Sequence, residues 1–541
     1  MTTPHFPLAS HSALGTLSPL NLVTLPAAPG FVPQGSGSGP AGELTAIVVG
    51  SGFGGLAAAI RLSVMGYKVT VLEKLDGPGG RGYVRKQDGF TFDGGPTIVT
   101  VPFLFEELWA LCGKKFSDDV DIRLMDPFYR VRFHDGTHFD YSGDADKMRA
   151  EVARINPDDV AGFDRFVKEA DKCYRLGFET LGCKAFDSIG DLMAALPAMA
   201  KMKAWRSMFG LVSGYIKHPK LRMAMSLQTL LIGGNPFSVT GVYSLINALE
   251  RRFGVYSAMG GTGSIINGMC KLLTDRQVPV RFNAEVKKIV VEGGRATGVE
   301  LFNKDGTSEQ LAADIVVCNS DTSWTYMNLI APEHRKHWTN KRIENGKHSM
   351  SLFVWYFGTN RQYKDVPHHT MVLGPRYEGL LTDIFKNHKL TEDFSLYLHR
   401  PTATDPSVAP AGCDNFYVLA PVPHLDSGTN WAEKAEAYKD AVCKRLEETL
   451  LPELGQHIVT SHIMTPQHFH DDLLSYKGAA FGLEPILLQS AWFRPHNRSE
   501  DVENLFMVGA STHPGAGMPG VLMSAKALQT VVPVIKKTTG V

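Results

Sequence analysis

The stretch Leu44-Thr45-Ala46-Ile47-Val48-Val49-Gly50-Ser51-Gly52-Phe53-Gly54-Gly55 decides how the rest of the chain is read. A short apolar run meets a glycine turn. A helix-like segment follows from Leu56 to Met65 and stops at Gly66. A second β-rich run, Lys68-Val69-Thr70-Val71-Leu72, ends at Glu73. Strand, glycine turn, helix, strand and acid is the order of a dinucleotide-binding unit. Gly50 permits the tight turn, Gly52 lets a pyrophosphate approach the backbone, and Gly55 lets the helix pack close to the strand. The free N–H groups at the helix start then face the phosphates. Glu73 stands where a carboxylate accepts from a ribose 2′-OH, which favours an unphosphorylated ribose.

Around this unit the chain is long, 541 residues, and implies more than one core. Lysine plus arginine and aspartate plus glutamate number 55 each, so net charge gives no argument for a nucleic-acid partner. No run of 18 or more uncharged apolar residues is present, so a transmembrane helix is not expected. Seven cysteines are scattered without a CxxC pair, which fits buried thiols in a reducing compartment and gives no zinc or disulfide framework. Residues 1–42 lack Lys, Arg, Asp and Glu and end in a Gly/Ser-rich run, so 1–43 reads as a disordered extension.

After Glu73 come two more glycine loops, Gly77-Pro78-Gly79-Gly80-Arg81-Gly82 and Asp93-Gly94-Gly95-Pro96, as if backbone wrapped round a large cofactor. Residues 122–141 alternate like strands and read as a β-hairpin, Phe128–Phe133 and His138–Tyr141 with a turn at Asp135-Gly136. Asn156-Pro157 opens a helix, with Asn156 as its cap. Leu192 to Met225 carries Met193, Met199, Met202, Trp205, Met208, Phe209 and Leu211 among lysines and arginines, with no acid between Asp191 and Glu250. It reads either as a membrane-interface segment or as a helical region with a solvated basic face. Residues 253–320 return to nucleotide-domain texture, with strands at 279–282, 285–291, 297–302 and 314–319. In Leu352-Phe353-Val354-Trp355-Tyr356-Phe357 both faces are apolar: either both are packed, or one lines an apolar pocket. His468-Phe469-His470-Asp471-Asp472 reads as a polar loop, and no metal site is expected. Near the end, Leu505 to Val508 runs through glycines to a helix that starts at about Leu522.

Several stretches together resemble the bacterial-type phytoene desaturases. They are AIVVGSGFGGLAAAIRL (46–62), PGGR (78–81), FTFDGGPT (90–97), LLIGGNPF (230–237), MGGTGSIINGM (259–269), EDFSLYLH (392–399), YVLAPVPHL (417–425), QSAWFRPHN (489–497) and NLFMVGASTHPGAGMPGV (504–521). The resemblance spans about 46–532. It implies an α/β fold: a Rossmann-like FAD-binding domain from discontinuous segments, 44–121, 253–330 and 481–541. It adds an α+β substrate domain, 122–143 and 331–480, and a helical, membrane-contacting region, 144–252. FAD is the implied cofactor. Gly50, Gly52 and Gly55 would meet its diphosphate, Glu73 its adenosine ribose, and Gly80 and Arg81 the diphosphate or ribitol. Val286 would touch adenine through its backbone, Gly509 and Ala510 would line the ribityl-phosphate end, and Met518, Pro519, Gly520 and Val521 would sit against the isoalloxazine.

The substrate the resemblance implies is a forty-carbon polyene hydrocarbon, 15-cis-phytoene, dehydrogenated stepwise to lycopene or neurosporene. Such a molecule has no polar handle, so recognition must come from an apolar tunnel. The cofactor carries the chemistry and the protein supplies alignment and dryness. Asp191, His369 and Glu484 are the candidate proton acceptors. Oxygen or a membrane quinone would take the electrons. The expected location is the bacterial cytoplasm, peripheral on the inner face of the cell membrane. Other readings are a later carotenoid desaturase, an isomerase or a terminal oxidase of the family. Outside it stand a non-catalytic prenyl-binding protein on the same fold and a polar-substrate amine oxidase.

Overall fold

The protein is described from a computed structural model covering residues 44–302 and 306–535; the expected extension, 1–43, lies outside them. Its first sheet has five parallel strands in the order Val280–Arg281, Lys68–Leu72, Thr45–Val49, Ile315–Cys318, Leu505–Met507. The strands come from three distant parts of the sequence. They are largely apolar because both faces are covered, with Lys68 and Arg281 only at strand ends. Val48, Val69, Val71, Val317 and Phe506 pack on the helices Phe53–Met65, Thr262–Asp275 and Met518–Leu528. Ile47, Val49, Leu72, Val316 and Met507 face an antiparallel three-stranded sheet, Glu285–Glu292, Arg295–Phe302 and Ser308–Ala312. The first helix is buried from Phe53 to Ser63, which explains its glycine and alanine content. It ends as read, at Gly66, whose left-handed backbone (φ +99°) no β-carbon would favour.

The second sheet has seven strands: Ile458–Met464, Ser351–Thr359, Asp414–Val422, Leu396–His399, His369–Val372, Tyr129–Arg132 and His138–Tyr141, in that order. The hairpin expected over 128–141 forms its edge. Ile122–Leu124 goes elsewhere, pairing with Val255–Ala258 in a small sheet that also holds Val99–Thr100. The run 351–359 divides by parity. Phe353, Trp355 and Phe357 pack with Trp431, Tyr438, Val442 and Leu446 of the helix Trp431–Thr449. Leu352, Val354 and Tyr356 turn to the other side, into a cavity.

Residues between the hairpin and Val255 are mainly helical. Asn156 holds the N-cap position with Pro157 just after it, as read, but of a short 3-10 turn, Pro157–Asp159, that leads into Val160–Cys173; its side chain accepts no cap bond and instead donates to Asp159 at 2.9 Å. The Asp159 carboxylate instead receives the backbone N–H groups of Lys217 and His218, at 2.7 and 2.8 Å. Within 192–225, Met202, Met208 and Leu211 are buried, so these belong to the core rather than to an outer apolar face. Met193 and Trp205 are exposed, at 60% and 67%. Residues 466–471 form a short helix rather than the expected polar loop. Thr465 and His468 close a reciprocal cap at its start, where Pro466 already fixes the backbone.

Candidate active site

A cavity of about 950 Å³ lies between the glycine turn, the start of the C-terminal helix and the inner face of the seven-stranded sheet. Gly50 has φ +92° and donates its N–H to Leu72 O at 2.7 Å, which reverses the chain out of the first strand. A β-carbon on Gly55 would stand 1.9 Å from the Gly50 carbonyl oxygen, and one on Gly52 2.9 Å from Asn319 Nδ2. No side chain caps the helix at Gly52, so its first N–H groups remain available to the cavity. The helix Met518–Leu528 starts at Gly517 (φ +92°), also without a side-chain cap, and Met518 to Val521 line the same cavity. A β-carbon on Gly520 would lie 2.4 Å from Gly515 O. Two long helices therefore aim their positive ends into one space.

One end of the space is polar. Glu73 accepts from Ser51 N at 2.8 Å, Ser51 Oγ at 2.7 Å and Leu75 N at 2.9 Å, which locks its carboxylate beside the turn. Arg81 donates to Ser475 Oγ at 2.9 Å, while its buried Nε has no partner. Burial lowers the pKa of this guanidinium and the Asp321 carboxylate opposes the shift. The other end is apolar: Leu352, Val354, Met371, Leu419, Leu230 and Met199 are among its walls. Tyr356, Tyr397 and Tyr417 add ring surface there, Tyr397 and Tyr417 meeting edge to face at 5.8 Å.

A family profile described as flavin containing amine oxidoreductase matches residues 53–527. A neurosporene-forming phytoene desaturase of Cereibacter sphaeroides is 48% identical over 90% of this chain and 94% of its own. A lycopene-forming phytoene desaturase of a Paracoccus species is 47% identical over 90% of this chain and 97% of its own. The chain belongs to the bacterial phytoene desaturase family. Solved structures agree on the fold. An oxidoreductase of Methanosarcina mazei superposes with a TM-score of 0.61 at 16% identity, over 90% of this chain and 100% of that one. Cyclohexylamine oxidase of Brevibacterium oxydans gives 0.56 at 15%, over 90% and 98%.

Membership of the phytoene desaturase family makes the chain a flavin oxidoreductase with FAD as cofactor. The polar end fits that group: an unpartnered Arg81 Nε, a carboxylate at Glu73 and a glycine cradle that any β-carbon at Gly52 would fill. Gly50, Gly52, Glu73, Gly80, Arg81, Val286, Gly509, Ala510, Met518, Pro519, Gly520 and Val521 all line the cavity. Gly55 lies behind them, between helix and turn.

Asp191, His369 and Glu484 are not among its walls. Asp191 forms a reciprocal cap with Ser188 and pairs with Lys184 at 2.8 Å, which, with Ser188, takes its pKa down to about 2. His369 is 1% exposed, accepts or donates at Nδ1 to Tyr397 Oη at 2.7 Å, and is held neutral by burial. Glu484 accepts from Ser238 Oγ at 2.6 Å, and burial raises its pKa.

Sequence reading missed two residues. Glu250, on the helix Leu245–Phe253, lines the cavity and is 1% exposed. Tyr129 donates to its Oε2 at 2.9 Å, Oε1 has no partner, and burial pushes its pKa up to about 8. Arg494 is equally buried and has no carboxylate partner; it donates to the carbonyls of Thr512, Leu483, Gln489 and Ala510 at 2.8–3.3 Å. It thus braces the loop that leads from Gly509 to Gly517. Arg494→Met should leave these carbonyls unsatisfied at a cost of roughly 3 kcal/mol or more. The expected result is a lower Tm and weakened FAD retention, read as flavin absorbance surviving gel filtration.

Proposed function

We propose that the protein dehydrogenates phytoene in successive steps to lycopene or neurosporene, in carotenoid biosynthesis. The observation that carries this reading is the cavity's polarity: phosphate-binding features at one end and an apolar, ring-lined space at the other. A hydrocarbon offers no group for a charged anchor to grip, so shape and desolvation must select it. FAD, when bound, supplies the hydride acceptor. The chain's residues do the rest. The sheet face formed by Leu352, Val354 and Met371 aligns the polyene and keeps water out. The aromatic rings of Tyr356, Tyr397 and Tyr417 in the wall would stabilise the allylic positive charge that develops on the substrate. Glu250 takes the proton at its unpartnered Oε1.

The entrance favours uptake from a membrane surface. Met199 and Met202 line the cavity, and the helix Ile189–Lys201 that carries Met199 exposes Ile189, Met193 and Leu196 outward. Trp205 and Leu488 are exposed at 67% and 68%, and Leu487, Ser490 and Ala491 again line the cavity. Lys201 and Arg206 are exposed beside Met199 and Trp205 along the chain, as suits an anionic bilayer. No helix among the described residues is long and apolar enough to cross a membrane. We read the attachment as peripheral, through the exposed apolar rim and on the cytoplasmic face, with oxygen or a quinone as electron acceptor. Replacing Met193, Trp205 and Leu488 by glutamate should cut partitioning into phytoene-loaded liposomes at least ~10-fold, by removing apolar burial worth roughly 1.5–3 kcal/mol per side chain. Flavin content should not change. Sedimentation with vesicles measures this.

The function itself is tested by incubating the FAD-loaded protein with phytoene in liposomes and separating the products by chromatography. A conjugated product supports the reading, and its chromophore length counts the steps. Untouched phytoene with flavin bound would overturn it. Neurosporene, lycopene and hydroxylated carotenoids would then be offered, since turnover of one of them would place the enzyme later in the pathway.

A further inference from the structure

Behind the cavity wall, on the seven-stranded sheet, three histidines meet. His369 and His399 are directly opposed on the paired strands His369–Val372 and Leu396–His399, and His368 precedes the first of these. All three are buried, at 7%, 1% and 3% exposed for His368, His369 and His399. Each can offer one ring nitrogen such that the three lie within 4.8 Å of one another. Hydroxyl groups engage two of the opposite nitrogens: His369 Nδ1 meets Tyr397 Oη at 2.7 Å, and His368 Nδ1 meets Thr404 Oγ1 at 2.7 Å. That leaves their Nε2 atoms for the centre, beside His399 Nε2, which is 3.0 Å from His368 Nε2.

Without an ion this arrangement is poorly satisfied. One of His368 and His399 must carry a proton at Nε2 to bridge the 3.0 Å contact, and the buried His369 Nε2 has no partner at all. A cation at the centre resolves both defects with a single choice of tautomers. All three rings then present Nε2 lone pairs inward. His369 and His368 carry their protons at Nδ1 and donate to Tyr397 and Thr404, the outer hydrogen bonds that orient metal-bound histidines. In the surroundings, the Arg400 guanidinium, paired with Asp414 at 2.8 Å, opposes positive charge at His368, and the Asp405 carboxylate favours it. Tetrahedral Zn–N bonds of about 2.05 Å place ligand nitrogens roughly 3.3 Å apart, so the 3.0 Å pair would open slightly and the remaining sides, at most 4.8 Å, would close onto the ion.

We propose that His368, His399 and His369 form a binding site for a divalent transition ion of the zinc class, with a fourth position left for water. Three imidazoles without a carboxylate select Zn2+ or Co2+ over Mg2+ or Ca2+. The ion would clamp neighbouring strands together and, through His369, fix the Tyr397 hydroxyl, which also contacts Thr97 Oγ1 at 2.6 Å in the cavity wall.

The test uses the flavin-loaded, full-length protein, treated with chelator and titrated with Co2+. The expected result is uptake of one equivalent with intense tetrahedral-type ligand-field bands to the red of the flavin absorption, displaced by Zn2+. His369→Ala should abolish the bands, while His134→Ala, in the exposed hairpin turn, should keep them. Weak octahedral-type bands, or the same bands in His369→Ala, would overturn the proposal. Should the histidine variant fail to fold, the band intensity of the unmutated protein decides alone. The site does not depend on which carotenoid is turned over, so an inactive preparation still reports on it.

Discussion

Gly55→Ala is expected to give a chain that accumulates poorly and purifies without flavin. The new β-carbon would lie 1.9 Å from the Gly50 carbonyl oxygen and 3.1 Å from Asn319 Cβ. Neither side can yield. Gly50 is tied to the end of the second strand by its N–H bond to Leu72 O, at 2.7 Å. The helix that carries Gly55 is fully packed against Met518–Leu528 and Thr262–Asp275. Relief requires the helix to slide by more than about 1 Å, beyond what a packed core absorbs for the ordinary overpacking cost of 1–3 kcal/mol. The same slide withdraws the N–H groups from the phosphate position. The predicted activity is therefore lower by at least ~100-fold, since misplacement of about 1 Å alone has that effect. Gly190→Ala is the control. Its β-carbon meets only Ser188 Oγ at 3.4 Å, so it should be tolerated and gain up to ~1 kcal/mol of helix propensity. Flavin-to-protein absorbance ratios of the two variants, side by side, measure the difference. A flavin-replete Gly55→Ala would sink the argument.

That prediction rests on what a single local stretch could reveal. The nucleotide-binding unit was legible because its constraints are close in sequence: turn, helix start and second strand all fall within 44–73. The C-terminal glycine loop was legible for the same reason, although its helix begins at Met518, a turn earlier than expected. The substrate side was less so. Alternation identifies a face only when one face is polar, and 352–357 is apolar on both. The tertiary partner, the helix Trp431–Thr449, decided which parity is packed and which looks into the cavity. Glu250 sits in Ala248-Leu249-Glu250-Arg251-Arg252, which reads as the end of an amphipathic helix. Nothing local distinguishes it from a solvated carboxylate. Its burial comes from Tyr129, 121 residues away. Arg494 and the three histidines are similar cases: carbonyls at 483 and 510–512, or a strand pairing across 30 residues, give them their surroundings. The capping duty of Asp191 was legible in principle, since Ser188 stands three residues before it.

Glu250→Gln tests the proton-accepting role through two pH dependences of opposite sense. The folded protein holds the Glu250 proton up to about pH 8, because burial penalises the charge. The unfolded chain releases it near the ordinary glutamate value of about 4.3. Between these limits the native state binds more protons than the unfolded one, so the group's contribution to stability falls as pH rises, by about 1.4 kcal/mol per unit. Glutamine cannot ionise. The variant should match the parent in Tm at pH 5 and exceed it at pH 8, where the penalty is largest. Turnover should move the other way. If the carboxylate accepts the substrate proton, the rate of the unmutated enzyme climbs with pH and levels off above about 8. The glutamine side chain still accepts from Tyr129, so the wall keeps its shape. It lacks a basic oxygen, and the rate should drop by about 100-fold or more and lose its alkaline climb. Anaerobic flavin bleaching by phytoene in liposomes, followed from pH 6 to pH 9, separates this step from reoxidation. A variant that gains stability at high pH yet keeps the climb would assign Glu250 to the wall and leave proton removal to solvent. A variant that gains stability at high pH and also loses the climb would place the acceptor on the unpartnered oxygen of Glu250.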